Sequence, residues 1–453
     1  MSTDLIIIGG GTAGLGAARE AIAAGASPLL ITDGPIGGDC TFTGCVPSKS
    51  LIADSHRGRP FPEAMARLHR VIEEIAATES ADVLRGEGVE VIDGRGQLVG
   101  ADAVEVHGVV RTAPHIVVAT GARAAIPPIP GLDTVPYLTN ETLFELTELP
   151  ARLGVIGGGA IGSEMAMAFA GFGSTVTLVE GLDRILPHEE PEASSTIQRV
   201  MEAEGIDVLT GHHVDSVSAG PAGIELAIGD RTVTVDALLV ATGRRPNTGG
   251  LGLEALGVAL DDRGHVVVDG KLKTNVDGIR AAGDVTGLLP FTHAAYEQAR
   301  LAVAHALKKG TRWKYDASTT PWVTFTRPEV ARVGVTEHEA AEMGGRVAYL
   351  PLTHVDRALT EDRTEGFVKL IAGPKPVIRH AFGGQLIGAT IVAERGGEMM
   401  HGPAMAARLG MFTGRLAQVT VAYPTWTMAV QQAAGQFFQK MHGLEARPAQ
   451  RTK

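Results

Sequence analysis

The chain has 453 residues, of which 58 are glycine and only 2 are cysteine, and its formal net charge is −11. At roughly 150 residues per domain this length predicts about three domains. The negative charge, with no Lys/Arg run, argues against a nucleic-acid partner held by phosphate contacts. The apolar run Leu5–Ile8 is too short for a signal core and follows no basic residue. No apolar stretch reaches the roughly 20 residues that span a bilayer, so the expectation is a cytoplasmic protein with no membrane partner.

The first predicted element is a strand through Leu5–Ile8 that runs into Gly9-Gly-Gly11-Thr-Ala-Gly14. An Ala-rich helix over Leu15–Ala24 and a strand over Pro28–Thr32 follow, ending beside Asp33, 24 residues past Gly9. In such a G-x-G-x-x-G unit the first glycine makes the tight turn. The second lets the backbone approach a pyrophosphate, and the third lets the helix pack close to the strand. Free N–H groups at the helix start then hold phosphate charge, and the acid accepts bonds from a ribose.

The next segment is the loop Gly37-Gly38-Asp39-Cys40-Thr-Phe-Thr-Gly44-Cys45-Val-Pro-Ser-Lys49. Two thiols with four residues between them can meet if the intervening segment turns like a helix, since a disulfide needs Cα atoms within about 7 Å. A helix start there would favour the thiolate and redox chemistry. The alternative is a metal site, for which two ligands are too few, so no metal site is expected.

A buried-type strand over Ile116–Val118 leads through Ala119 and Thr120 to Gly121. The strand–turn–helix pattern then repeats: Arg152–Ile156, Gly157-Gly-Gly159-Ala-Ile-Gly162, a helix over Ser163–Phe172, a strand over Thr175–Val179, and Glu180, 23 residues past Gly157. One such motif marks only a Gly-rich turn. Two copies in the same context point to two dinucleotide-binding units. Leu238–Gly243 repeats the strand-to-Gly pattern, and Ile279–Asp284 ends a strand in Gly-Asp, where its carboxylate would emerge at a cofactor-binding edge. From about Thr320 the pattern changes to α+β. Strands are predicted over Pro321–Phe325, Arg332–Val335, Arg346–Leu352, Gly366–Ile371 and Gln385–Val392, and helices over about Gly397–Arg408 and Trp426–Gln439. Trp322 and Trp426 read as packing residues, and the polar end as a frayed tail.

These motifs together resemble the FAD-dependent class I pyridine nucleotide-disulfide oxidoreductases. The resemblance rests on GGDCTFTGCVPSK, both G-x-G-x-x-G units, ATGAR, ATGRRPN, AAGDVTG and FTRPEVARVGVTE. It implies an α/β fold of two Rossmann-like domains, for FAD and NAD(P), plus a C-terminal α+β dimerisation domain. The corresponding division is 1–150 and 273–319 for FAD, 151–272 for the nicotinamide nucleotide, 320–445 for dimerisation, and a tail over 446–453. It also implies a homodimer.

By the same resemblance, Cys45 matches the cysteine next to the flavin and Cys40 the one that attacks the substrate. Lys49 matches a lysine beside the flavin and Glu164 its carboxylate partner, although a surface ion pair is the plainer reading of those two. Gly9, Gly11, Gly14, Gly38, Thr120, Gly121 and Asp284 match the FAD site. Gly157, Gly159, Gly162, Glu180 and Gly243 match the nicotinamide site. Glu180 would repel a 2′-phosphate and favour NADH over NADPH; Arg184 is the nearby arginine that NADPH would need. The family places a Glu where Thr32 stands, so Asp33 is assigned the ribose instead.

The chain departs from the disulfide-reducing members at its C-terminal His-Pro-Thr-x-x-Glu. Here Tyr423-Pro-Thr425 replaces the His, and Met428 the Glu. Tyrosine, with an ordinary pKa of about 10, is a poor base at neutral pH. A positioned base near neutrality is worth roughly 10²–10⁴-fold, so efficient turnover of a lipoyl disulfide is doubtful and Tyr423 becomes a candidate site residue. Soft metal ions, which thiolates prefer, need no such base. Asp356-Arg-Ala358 and Thr364–Lys369 resemble the mercuric-reductase-like branch, although the C-terminal vicinal cysteines of that enzyme are missing here. The expected activity is electron transfer from NAD(P)H through FAD and the cysteine pair to a small-molecule disulfide or metal-ion acceptor. Dihydrolipoamide dehydrogenase acting on a lipoyl protein, or a redox sensor without turnover, are the alternatives.

Overall fold

The computed structural model describes residues 2–375, 377 and 379–451. The chain divides into two compact units. The first comprises 1–127, 138–148 and 242–317, and the second 128–137, 149–241 and 318–453. Among the described residues no helix is long and apolar enough to cross a membrane.

The first unit is built on a five-stranded parallel sheet in the order Ile279–Ala281, Ile116–Val118, Leu5–Ile8, Pro28–Thr32, Glu90–Asp93. Strand side chains alternate between faces, and here both faces are covered. Leu5, Ile7, Leu30 and Val117 meet the helices Thr12–Ala23 and Thr292–Leu307. Ile6, Ile8, Ile31 and Ile116 meet Leu98, Val104 and Val106 of a three-stranded antiparallel sheet on the other side. Two covered faces explain why Leu5–Ile8 is an unbroken apolar run and not an alternating one.

The second unit contains a four-stranded parallel sheet, Asp207–Thr210, Thr175–Glu180, Arg152–Ile156, Ala237–Val240. It is backed by the antiparallel strands Ser216–Gly220, Gly223–Ile228 and Arg231–Val235. The same unit holds a six-stranded sheet in the order Trp322–Thr324, Glu329–Gly334, Gln385–Ala393, Phe367–Gly373, Arg346–Pro351, Arg447–Pro448. Helices His401–Arg408 and Met428–Gly435 cover it, with Trp426 in its core at 7% exposure.

Three expectations need correction. The helix foreseen over 397–408 is two pieces, Gly396–Met399 and His401–Arg408. The helix foreseen over 426–439 is regular only over Met428–Gly435. The tail does not fray over 446–451. Arg447 and Pro448 pair with Val347 and Arg346, and Arg447 Nη2 donates to Glu337 Oε2 at 3.1 Å; Thr452 and Lys453 lie outside the described residues. Backbone pairing and an ion pair hold what composition alone marks as loose.

The fully buried Lys369 ammonium meets Glu192, Glu337 and Glu190 at 2.8, 3.0 and 3.2 Å. Burial works against its charge, and the three carboxylates more than offset this, holding its pKa above the ordinary lysine value. Glu190 and Glu192 open the helix Pro191–Ala203 behind the four-stranded sheet, so the cluster ties that layer to the six-stranded sheet. Nearby, Trp322 Nε1 donates to Glu189 at 2.7 Å while Arg332 lies over the Trp322 ring.

Candidate functional site

Both glycine motifs form the same turn. Gly9 and Gly157 have φ of +112° and +107°, which side-chain-bearing residues rarely adopt. A Cβ on Gly14 or Gly162 would stand 1.9 Å from the carbonyl oxygen of Gly9 or Gly157, so helix and strand approach that closely only through glycine. Gly11 and Gly159 are the N-caps of helices Thr12–Ala23 and Ala160–Phe172, and no side chain caps either helix or places an acid in its first turn. The helix-start amides are therefore available to an anion. A Cβ on Gly159 would meet nothing within 4 Å, and one on Gly11 only the Gly38 Cα at 4.0 Å. Each is an open cradle that fits the pyrophosphate of a dinucleotide.

The acids after the second strands differ. Gly9 N donates to Ile31 O and Gly157 N to Val179 O, both at 2.8 Å, so the next residues, Thr32 and Glu180, are structural equivalents. Glu180 accepts from Gly158 N at 2.7 Å and from Leu182 N at 2.8 Å. Thr32 Oγ1 instead bonds Gly34 O at 3.1 Å, and Asp33 is exposed one residue further on. Arg184 is engaged by the Pro187 carbonyl at 2.9 Å.

In the first unit the redox loop is two helices with a break. Cys40 lies in Gly38–Phe42, and Cys45 is the first residue of Cys45–His56, after Gly44. A Cβ on Gly44 would sit 2.7 Å from Asp39 O, so glycine is what lets the chain double back between the cysteines. No disulfide joins the two sulfurs. The neighbouring Cys45 sulfur, then burial, push the Cys40 thiol far above the ordinary range. The start of the twelve-residue helix favours negative charge on Cys45. Thr292 Oγ1, at the first position of helix Thr292–Leu307, lies 3.2 Å from each sulfur. Thr41 Oγ1, one residue past Cys40, donates to Glu79 Oε2 at 3.2 Å. Lys49 is one turn along the Cys45 helix.

Asp284 follows strand Ile279–Ala281, as its Gly-Asp ending foresees. It pairs with Arg244 Nε at 3.2 Å, and Arg244 Nη2 also reaches Asp39 and, at 2.7 Å, Ala122 O. Burial pushes the Asp284 carboxyl up, with Arg244 opposing. Burial also disfavours the Arg244 charge, but Asp284 and Asp39 outweigh it and its pKa is raised. Thr120 Oγ1 donates to Asn247 O at 2.8 Å, and Gly121 carries a φ of +68°. Gly243 belongs to the first unit too, its carbonyl accepting from Ala125 N at 3.0 Å.

Glu164 is buried in the second unit and accepts from Phe325 N at 2.8 Å. In the same unit Tyr423, 69% exposed, donates its hydroxyl to Asp356 Oδ2 at 3.0 Å. That bond, and then the carboxylate charge, raise the Tyr423 pKa, so this phenol is a donor and not a base at neutral pH. Among the described residues no group of three or more His, Cys, Asp and Glu could hold a metal ion.

Sequence reasoning missed Thr292, Arg244, Asn247 and Glu79. Arg244 and Asn247 stand inside the ATGRRPN segment, which was the available signal. Thr292 carries no signal, because 247 residues separate it from Cys45.

The family described as pyridine nucleotide-disulphide oxidoreductase matches residues 3–302, and its dimerisation domain matches 320–434. The chain is 35% identical to a mercuric reductase of Bacillus cereus, over 95% of this chain and 70% of that protein. It is 33% identical to the probable pyridine nucleotide-disulfide oxidoreductase RclA of Escherichia coli K12, over 87% of this chain and 90% of that one. The solved Cu(II) complex of the HOCl-induced flavoprotein disulfide reductase RclA from Escherichia coli superposes with a TM-score of 0.87 at 31% identity, covering 96% of this chain and 99% of that one.

Proposed function

This chain belongs to the pyridine nucleotide-disulphide oxidoreductase family, flavoenzymes that use FAD and a pyridine nucleotide, and from that premise we propose that it moves electrons from NADH to the Cys40–Cys45 pair and on to a soft metal ion. The observation that carries the choice of acceptor is the Tyr423–Asp356 hydrogen bond. It leaves a donor where disulfide-reducing relatives hold their base, and a dithiol that must shed protons to a lipoyl disulfide is then poorly served. Thiolates bind soft metal ions directly.

FAD, when bound, supplies the two-electron relay between nicotinamide and the cysteine pair. The chain's own residues divide the remaining work. Gly9, Gly11 and Gly14, with Gly38, Thr120 and Gly121, cradle the FAD phosphates and the chain around them, and Asp284 accepts from its polyol. Asp33 takes the ribose. Gly157, Gly159, Gly162 and Gly243 serve the nicotinamide nucleotide. Glu180 accepts from its ribose hydroxyls and repels a 2′-phosphate, which favours NADH. Lys49 and Glu164 contribute a cation and an anion at the flavin. Cys45 keeps the thiolate at its helix start, and Cys40 meets the acceptor.

The functional division proposed is 1–150 with 273–319 for FAD, 151–272 for the nucleotide and 320–445 for dimerisation, although 242–272, with Gly243, fall in the first compact unit; a homodimer goes with the same reading. The dimerisation-domain match and the exposed apolar side chains Met405, Leu409, Val419 and Phe438 support the dimer.

The test is NADH oxidation by the purified holoenzyme with Hg²⁺ and with lipoamide in parallel, with Cys45→Ser as control. The expected result is Cys45-dependent turnover with Hg²⁺ and turnover with lipoamide lower by roughly 10²-fold or more. Fast lipoamide turnover would show that another group supplies the base and would move the assignment to dihydrolipoamide dehydrogenase. Flavin reduction without multiple turnover on either acceptor would favour a redox sensor.

A further inference from the structure

Thr292 touches both sulfurs. Its hydroxyl donates to Cys40 Sγ at 3.2 Å, and at the same distance from Cys45 Sγ either atom can be the donor. A hydroxyl has one proton to give and two lone pairs to receive with. It can therefore accept an S–H bond from one cysteine while donating its own proton to the other.

We propose that Thr292 is a further catalytic residue, a proton relay between Cys40 and Cys45 that lets either sulfur become the thiolate without an outside base. The proposal rests on the reading of this pair as the redox centre. Two electrons and one proton, supplied by the family's oxidation of reduced nicotinamide, break the disulfide and leave one thiol and one thiolate. The helix start places the charge on Cys45, which leaves the proton on Cys40. Only a thiolate attacks or binds an acceptor, so Cys40 must lose that proton first. In the relay the Cys40 S–H bond breaks and its proton joins the Thr292 oxygen. The original Thr292 O–H bond breaks and its proton joins Cys45. No electron moves, net charge is unchanged and Thr292 is regenerated. The step moves a proton between the sulfurs and removes none, so it does not replace the base that Tyr423, bonded to Asp356, fails to provide.

Several charged or titratable groups lie on the elements around the pair. Glu79 acts through space on Cys40, Asp39 next to Cys40 is paired with Arg244, Lys49 lies along the Cys45 helix, and His293 follows Thr292 and stacks on Phe291. Cys40 and Cys45 also contact each other directly, which offers a rival path for the proton, although sulfur is a weak donor and a weak acceptor.

The experiment is alkylation of the reduced holoenzyme by iodoacetamide between about pH 5 and 9, with Cys40 and Cys45 read separately by peptide mass spectrometry. Wild type, Thr292→Val and Thr292→Ser are compared, with flavin content and melting temperature as checks on folding. Valine keeps the shape and removes the hydroxyl. The expected result is a Cys40-to-Cys45 labelling ratio at neutral pH about tenfold lower in Thr292→Val, equivalent to one pKa unit, and restored in Thr292→Ser. An unchanged ratio in the valine variant overturns the relay and assigns the transfer to the direct sulfur contact. If oxidation of the wild type fails to protect the two cysteines from label together, the pair is not the redox centre and the reading beneath the relay falls with it.

Discussion

Glu180 and Thr32 occupy the same place in two copies of one pattern, and they show what a single side chain decides. In the second copy a carboxylate closes on the amides of Gly158 and Leu182, which fixes it at the mouth of the glycine turn. In the first copy a hydroxyl bonds Gly34 instead. The spacing from the first glycine sets Thr32, 23 residues past Gly9, level with Glu180, 23 residues past Gly157, and the backbone bonds Gly9–Ile31 and Gly157–Val179 give the same alignment. Glu180→Gln keeps an oxygen for Gly158 and removes the charge. Its expected effect is an NADH-to-NADPH preference, measured as the ratio of kcat/KM values, about tenfold lower than wild type, in line with a hydrogen bond to a charged group worth about 1.5–3 kcal/mol. An unchanged ratio would mean that cofactor choice is made elsewhere.

Elements carry the next level of behaviour. The redox loop works because two helices meet at Gly44, so that Cys40 and Cys45 face each other although they sit in different helices. In the six-stranded sheet, strand Glu329–Gly334 opens with a carboxyl that burial raises from 4.5 to about 7, against the opposing bond from Gly397 N at 2.8 Å, while Glu398 and Glu394 add to the shift. Folded Glu329 thus holds a proton that the unfolded chain releases above 4.5. Its stabilising effect is present below that pH and is lost as pH rises through about 7. Glu329→Gln keeps an acceptor for Gly397 and cannot ionise. Chemical denaturation should find it about 1–3 kcal/mol more stable than wild type at pH 8, with little difference near pH 4. Equal pH profiles for the two proteins would show that this carboxyl titrates normally.

At the scale of the whole molecule, the C-terminal sheet is closed by its own last strand, and Glu337, Lys369 and Arg447 pin that strand and the nearby Pro191–Ala203 helix to one charge cluster. The described end of the chain is thereby committed to its own sheet. Met405, Leu409 and Val419 remain 49%, 68% and 50% exposed in the segment that matches the dimerisation domain. Apolar surface of this kind is usually covered. Light scattering should give about twice the 47.2 kDa chain mass, and a monomer with full activity would remove the dimer from the proposal.

The sequence alone determined the two dinucleotide-binding turns, the redox cysteine pair and the replacement of the C-terminal histidine by Tyr423. Each is local: a turn that only glycine can make, a spacing within one loop, an identity at one motif position. Strand assignments in the C-terminal sheet were also legible, because strands buried nearly throughout, such as Phe367–Gly373 and Gln385–Ala393, read as short, mostly apolar runs. Only the tertiary structure decided that Thr292 reaches both sulfurs, that Arg244 joins Asp39 to Asp284, that Tyr423 is a donor bonded to Asp356, and that the tail pairs with a strand a hundred residues earlier, as the Arg346–Ala446 bond also records. The reason is physical. A long-range contact depends on where chain segments pack in space, and neither partner's residue type nor its local pattern encodes the other's position.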